Sequence, residues 1–178
     1  LYMGEEWGET RPFLFFTDFH GELGDAVREG RRGEFERWKS FQDAHHRAEI
    51  PDPNAVETFD KSKLDWDKRD APEHRARLDY VSGLLALRHR EIVPRLAGIG
   101  GHAATRQEVD GRCLRVGWRL GDDSELNVTA NLGDAPAPFA ATPSGQLLFE
   151  RPAGGADALR EGHLPGWSAV FHLAEAAP

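Results

Sequence analysis

The sequence predicts a chain in two parts, a helical and loop-rich first half followed by a small antiparallel β-sandwich. Two observations carry this. Up to Gly98 the apolar residues recur at intervals of three and four, as on one face of a helix; beyond it they alternate with polar ones, as on one face of a sheet. The turns of the second half are rich in Gly, Pro and Ala, which suits short strands.

Residues 1 to about 22 mix the breakers Gly4, Gly8, Pro12 and Gly21 with Trp7, Phe13, Phe15, Phe16 and Phe19, and read as a loop with short extended pieces. Leu1-Tyr2-Met3-Gly4 reads as the end of a buried strand. With no initiator methionine and no signal-peptide pattern before it, the chain is expected to be a fragment. From Leu23 to about Phe41, charged residues surround Leu23, Val27, Phe35, Trp38 and Phe41, a helical spacing weakened in its middle by Gly30 and Gly33. The polar interval over residues 42–70 reads as a loop, too long to be an idle connector.

Asp70-Ala71-Pro72 starts a helix, because proline in the first turn lacks only an N–H that has no intrahelical partner. Leu78, Val81, Leu85, Ile92 and Leu96 form its apolar stripe, with Leu84 and Leu87 beside it. Pro94 disturbs its end and Gly98 stops it. The period then changes. Leu114, Val116, Trp118 and Leu120 alternate with polar residues or glycine, Gly121-Asp122-Asp123-Ser124 turns the chain, and Leu126, Val128, Ala130 and Leu132 alternate again, a hairpin pattern. Further strands are expected at residues 146–151 and 166–173, where Trp167, Ala169, Phe171 and Leu173 share a face.

The 178 residues, 39% hydrophobic and 29% charged, have an ordinary globular composition with room for one large domain or two small ones. Lys and Arg number 22 against 30 Asp and Glu, a net charge of −8 whose field repels phosphate backbones, so no nucleic-acid partner is expected. Nor does the composition fit a membrane span. The one cysteine, Cys113, cannot close an internal disulfide and removes any Cys-based metal cluster; with no secretion signal, a cytoplasmic location follows.

Candidate chemistry is sparse. Glu5-Glu6 and Asp65 with Asp67 are carboxylate pairs, but among 30 acidic residues neighbours arise by chance, and no catalytic dyad is assigned to this chain. His45, His46 and Glu49 have metal-ligand spacing without a third spaced histidine, and read as a solvated run. Gly98-Ile99-Gly100-Gly101-His102-Ala103 fits a dinucleotide fingerprint in letters only, since a helix precedes it and a strand follows, the reverse of what the phosphate site requires. It reads as a linker. Asn127-Val128-Thr129 is a glycosylation sequon in mid-strand, and Cys113 reads as structural. The aromatic loop is different. Flat C–H faces of sugars stack on such rings while Glu5, Glu6 and Asp18 can accept from hydroxyls; packing over the end of a core is the rival explanation.

Several segments, taken in order, resemble one known family: Met3-Gly4-Glu5-Glu6-Trp7-Gly8-Glu9, Pro12-Phe13-Leu14-Phe15-Phe16-Thr17-Asp18, Val27-Arg28-Glu29-Gly30-Arg31-Arg32, Pro51-Asp52-Pro53, and Thr58-Phe59-Asp60-Lys61-Ser62-Lys63-Leu64-Asp65-Trp66. Together they look like malto-oligosyltrehalose trehalohydrolases, glycoside hydrolases of the α-amylase superfamily. The Gly-Glu-Glu portion is shared with branching enzymes; the Phe-Phe-Thr-Asp, Val-Arg-Glu-Gly-Arg-Arg and Ser-Lys-Leu-Asp-Trp set is far more specific. The match covers residues 1–96, and the β tail fits the C-terminal domain that follows the catalytic barrel in this superfamily.

The resemblance implies an α/β part and an all-β part. Residues 1–98 would be the end of a (β/α)8 TIM barrel, with residues 1–4 closing the eighth strand and 70–96 forming the last helix; residues 99–178 would be the β-sandwich. A barrel takes about 250 residues, so only its final βα unit fits here. The family's catalytic carboxylates would lie upstream of Leu1, and none is carried onto this sequence. The loop after the last strand belongs to the face where barrel chemistry gathers, which makes Glu5, Glu6, Trp7, Phe16, Asp18, Arg28 and Arg31 candidates for binding substrate or bracing its site. The insert over residues 38–50 departs in character from its flanks.

The implied activity of the parent is cleavage of the α-1,4-glucosidic bond next to the terminal trehalose of maltooligosyltrehalose, with retention and with no metal or organic cofactor. The implied partner is that sugar or a related α-glucan, and the chain by itself is expected to be inactive. Two alternatives stand beside this: a branching or amylase-type relative, and a non-catalytic carbohydrate-binding or interaction module.

Overall fold

The structure, a computed structural model, describes residues 1–35, 50–141 and 144–176. The chain forms two compact units, Leu1–Gly83 and Leu84–Pro178. The expected histidine run at His45, His46 and Glu49, and the end of the first predicted helix, lie outside the described residues.

In the first unit a single 3-10 turn, Glu5–Trp7, sits between Gly4 and Gly8, both at positive φ. The expected strand end at residues 1–4 is not formed. A barrel strand exists only through ladder bonds to its neighbours, and no described residue forms a strand ladder with these four, whose Leu1, Tyr2 and Met3 are exposed. Helix α1 spans Gly21–Phe35. The interval read as one long loop contains helix α2, Val56–Ser62, and a 3-10 turn, Trp66–Asp70. Hydrophobic periodicity could not reveal α2, because the residues it buries are the polar Thr58 and Ser62.

Helix α3, Pro72–Leu87, begins at the predicted proline. Leu78, Val81, Leu84 and Leu87 form its more covered side, but no residue of α3 is fully buried, and Leu85, placed on the stripe by the sequence, is 40% exposed. The helix loosens into a π turn at Arg88–Ile92 and tightens into a 3-10 turn at Val93–Leu96. Pro94 is the physical cause: it brings no N–H to the helical ladder and its ring crowds the preceding turn.

The second unit is built on a five-stranded, wholly antiparallel sheet of β1, Ala104–Asp110; β2, Cys113–Arg119; β3, Glu125–Asn131; β5, Gln146–Arg151; and β7, Ser168–Ala174. Their order across the sheet is β1-β2-β3-β7-β5. The predicted hairpin is β2–β3, with Val116 opposite Val128 and Val128 opposite Phe171 on β7. Strand β1 escaped prediction because its sequence, Ala-Thr-Arg-Gln-Glu-Val-Asp, has no apolar alternation. Register shifts occur at Ala104/Arg106 in β1 and at Leu147/Phe149 in β5, the two outermost strands.

A sandwich of two comparable sheets is not formed. The second layer is a two-stranded ribbon, β4 (Ala137–Pro138) with β6 (His163–Leu164), together with the short helix α4, Gly155–Arg160. Ala156, Leu159, Leu164 and Phe139 pack there against Cys113 and Val170 of the sheet. The sheet therefore turns its more polar face inward: Arg115, Asn127, Thr129, Asn131, Ser168 and His172 are buried, whereas Leu114, Val116, Trp118, Leu126 and Val128 on the alternate positions are only half-buried. Asn131 makes this tolerable at its end of the sheet. Its side-chain amide donates to the carbonyls of Ala135 (2.9 Å), Leu164 (3.3 Å) and Pro165 (3.1 Å), and its oxygen accepts from Gly133 N–H at 2.8 Å. Burial of Asn127 rules out its sequon as an exposed acceptor, and buried Cys113 has the structural role expected of it.

Candidate functional site

The site the sequence points to is the aromatic loop of the first unit. Its start is held by Glu9, which the sequence reading passed over. The Glu9 carboxylate accepts from the backbone N–H groups of Thr10 (2.7 Å), Arg11 (2.9 Å) and, across the unit, Asp65 (2.7 Å). Burial pushes its pKa up, but the donors at Arg11, Asp65 and Thr10 outweigh that and hold it below the ordinary glutamate value. Arg11 in turn reaches the Asp65 carboxylate at 3.1 Å.

Trp7 is 3% exposed and lies against Trp66 with ring centroids 4.9 Å apart, while its carbonyl meets His74 Nδ1 at 2.8 Å. The Glu5 carboxylate accepts from Tyr2 N–H and its carbonyl from Arg77 Nε. These contacts make Trp7 and Glu5 parts of the frame. The half-buried Glu6 carboxylate has no hydrogen-bond partner among the described residues.

Further along, the rings of Tyr2, Phe13, Phe16 and Phe59 form a chain of edge-on contacts at 5.1, 5.8 and 5.1 Å. A polar scaffold from the segment before and within α2 fixes it. Ser62 Oγ accepts from Leu14 N–H and donates to the Thr58 carbonyl; Thr58 Oγ1 donates to the Asp52 carbonyl at 2.6 Å. Asn54 Oδ1 accepts from Thr17 Oγ1 (2.6 Å) and Phe19 N–H (3.2 Å), and its amide donates to the Gly24 carbonyl at the first turn of α1. A Cβ at Gly24 would stand 2.6 Å from the Phe19 carbonyl oxygen, so the helix approaches the loop this closely only with glycine there.

Arg28 belongs to this scaffold. Its guanidinium donates to Asp52 and Asp25, both at 2.7 Å. The Asn54 N–H is the main influence holding Asp52 below the usual carboxylate range, with Arg28 adding to it. Arg31 lies over the Phe15 ring at 5.2 Å and pairs with Glu34, lining a small cleft of about 140 Å³ with Phe13, Leu14, Ile50 and Pro51.

Of the seven predicted residues, Phe16 and Asp18 meet in one cleft. It has a volume of about 400 Å³ and is completed by Thr17, Asn54, Ala55, Val56 and Phe59. Glu5, Glu6, Trp7 and Arg28 do not line it, and Arg31 lines the other. The sequence signal for Phe59 was its place in the specific Thr-Phe-Asp-Lys-Ser-Lys-Leu-Asp-Trp segment. Among the described residues no group of three His, Cys, Asp or Glu side chains is placed to hold a metal, and no helix is long and apolar enough to cross a membrane.

The class of protein is set by similarity. Residues 101–171 match the family described as "Domain of unknown function (DUF3459)". A solved structure from Salmonella typhimurium, assigned by name to the alpha amylases, superposes with a TM-score of 0.80 at 38% identity, covering 97% of this chain and 27% of its own. The chain thus resembles part of an α-amylase-type protein.

The particular likeness is to malto-oligosyltrehalose trehalohydrolases, as the motifs imply. That of Rhizobium sp. (strain M-11) is 41% identical over 140 residues, 76% of this chain and 21% of its own length; that of Deinococcus radiodurans is 38% identical over 132 residues, 70% and 21%. The chain spans about a fifth of the length of these curated relatives.

Proposed function

We propose that this chain is the C-terminal part of an α-amylase-type glycoside hydrolase that cleaves the α-1,4-glucosidic bond beside the terminal trehalose of maltooligosyltrehalose, releasing trehalose and a shorter maltooligosaccharide. The observation that carries this is the 38–41% identity to curated trehalohydrolases over 70–76% of the chain. In this reading residues 1–98 complete the catalytic barrel and residues 99–178 form the domain that follows it. The enzyme works in the cytoplasm, in keeping with the single cysteine of this chain.

Cleavage proceeds with retention: one carboxylate attacks the anomeric carbon while a protonated one donates to the leaving oxygen and then activates water. Both belong to strands upstream of Leu1. The present residues contribute to binding. Phe16 and Asp18 face sugar, Glu6 keeps a free carboxylate for a hydroxyl, and Glu5, Trp7, Arg28 and Arg31 brace the loop; the hydrogen bonds of Glu5 and Arg28 support this division.

The test is a trehalose-release assay with maltooligosyltrehalose on the 178-residue chain and on the longer polypeptide that contains it. The longer polypeptide is expected to release trehalose and the chain alone none. Release by the chain alone would overturn the upstream assignment of the carboxylates. A longer polypeptide that cleaves or branches glucans without yielding trehalose would replace the substrate.

A further inference from the structure

We infer that the cleft between Phe16 and Phe59 is a subsite for one glucosyl ring of an α-glucan, with Phe59 as the stacking platform and Asp18 as the acceptor for sugar hydroxyls. The inference rests on the glycosidase reading above and adds to it a residue, Phe59, and a place on the molecule.

The cleft's volume of about 400 Å³ falls within the range of small-molecule sites, about 300–1,000 Å³. Its walls have the composition such a site needs, several apolar surfaces and few polar groups. Helix α2 explains how Phe59 comes to serve it. Thr58 and Ser62 point into the polar scaffold and are buried, which leaves Phe59 44% and Val56 68% exposed. The Phe59 ring lines the cleft while its neighbours hold it in place. Phe16 meets it edge-on at 5.1 Å, and the Lys63 ammonium, itself tied to Asp60 at 2.6 Å, stands 4.5 Å from its centroid.

The polar inventory selects the ligand class. Thr17 Oγ1 donates to Asn54, and the Asn54 oxygen and amide are both engaged within the loop. The carboxylate of the cleft is Asp18, whose side chain is 96% exposed and lies 3.5 Å from His20, also exposed. A carboxylate accepts well from paired hydroxyls and repels phosphate or carboxylate ligands, so a neutral polyhydroxylated ring fits and an anionic one does not. With one platform and one strong acceptor, the affinity expected of the subsite alone is weak, a Kd on the order of 1 mM.

The experiment has two arms. Maltohexaose, with the β-linked cellohexaose as comparison, is titrated into the 178-residue chain and followed by amide NMR shifts. Maltohexaose is expected to move the signals of Thr17, Asp18, Asn54 and Val56 saturably. Phe59→Ala should weaken this at least tenfold and Asp18→Asn several-fold, while Phe59→Trp, which keeps a platform, retains binding. Absence of saturable shifts in the wild-type chain, equal binding by Phe59→Ala, or preference for cellohexaose overturns the proposal. In the longer polypeptide, Phe59→Ala should raise KM for maltooligosyltrehalose with kcat little changed, the signature of lost ground-state and transition-state binding alike. An unchanged KM in an enzyme that still releases trehalose sinks the subsite and spares the activity. A longer polypeptide without trehalose release, whose fragment nonetheless binds maltohexaose through Phe59, sinks the activity and upholds the subsite.

Discussion

Trp7 is the buried aromatic residue at the start of the loop. Two residues after Glu5, whose carbonyl accepts from Arg77 of α3, its indole is almost fully buried and lies against Trp66. Removing it in Trp7→Ala leaves a large cavity, for which a cost of about 3–5 kcal/mol is expected. Urea unfolding of the variant measures this, and a loss below about 1 kcal/mol would show that the loop closes over the gap. Asp122, like Glu9 and Asp52, is a residue through which stability depends on acid. The Ser124 hydroxyl foremost, then Arg95, lowers its carboxyl from 3.8 to about 2. Because the folded value lies below the unfolded one, its contribution is present in full above the unfolded value and is lost as pH falls toward about 2. Unfolding midpoints of the wild type should decline across that window more than those of Asp122→Asn. Parallel declines would remove Asp122 from the account.

At the scale of elements, the β2–β3 hairpin is fastened at its turn. Gly121 N–H donates to the Arg95 carbonyl at 2.7 Å, and Arg95 itself bridges Asp122 at 2.6 Å and Glu175 at 2.9 Å, so the 3-10 turn, the hairpin and the end of β7 share one ionic node. A Cβ on Gly121 would lie 1.7 Å from the Ala97 carbonyl oxygen, a backbone atom that cannot yield locally. Gly121→Ala is therefore expected to destabilise by at least about 1–3 kcal/mol, whereas Gly100→Ala, with open space around it, should be near neutral. Thermal melting of the two variants provides the comparison, and equal midpoints would dismiss the close approach. The hairpin was legible because its apolar residues alternate without interruption; β1 and α2 were not, because one has no such alternation and the other buries Thr58 and Ser62. Which face of the sheet turns inward was misleading for the same reason. Alternation identifies a strand, but Leu114, Val116 and Trp118 do not say whether α4 and the ribbon cover them or cover Cys113, Arg115 and Gly117 instead.

On the scale of the whole molecule, the two units have different relations to the sequence. In the first, Phe16 and Asp18 were legible as a pair because a family segment joins them, while the scaffold that aims them, Asp52, Asn54, Thr58 and Ser62, depends on hydrogen bonds over 24 to 48 positions of chain. No local pattern records those. Among the described residues the sheet of the second unit ends in β1 on one side and β5 on the other, and both register shifts fall there, while β2, β3 and β7 pair without a break. Gln107, Glu108 and Asp110 add exposed polar and acidic side chains along the β1 margin. Irregular pairing and exposed charge on an outer strand both disfavour its pairing with another chain. The regular ladder of the sheet thus lies in its three inner strands, and its irregularities lie in the two outer ones.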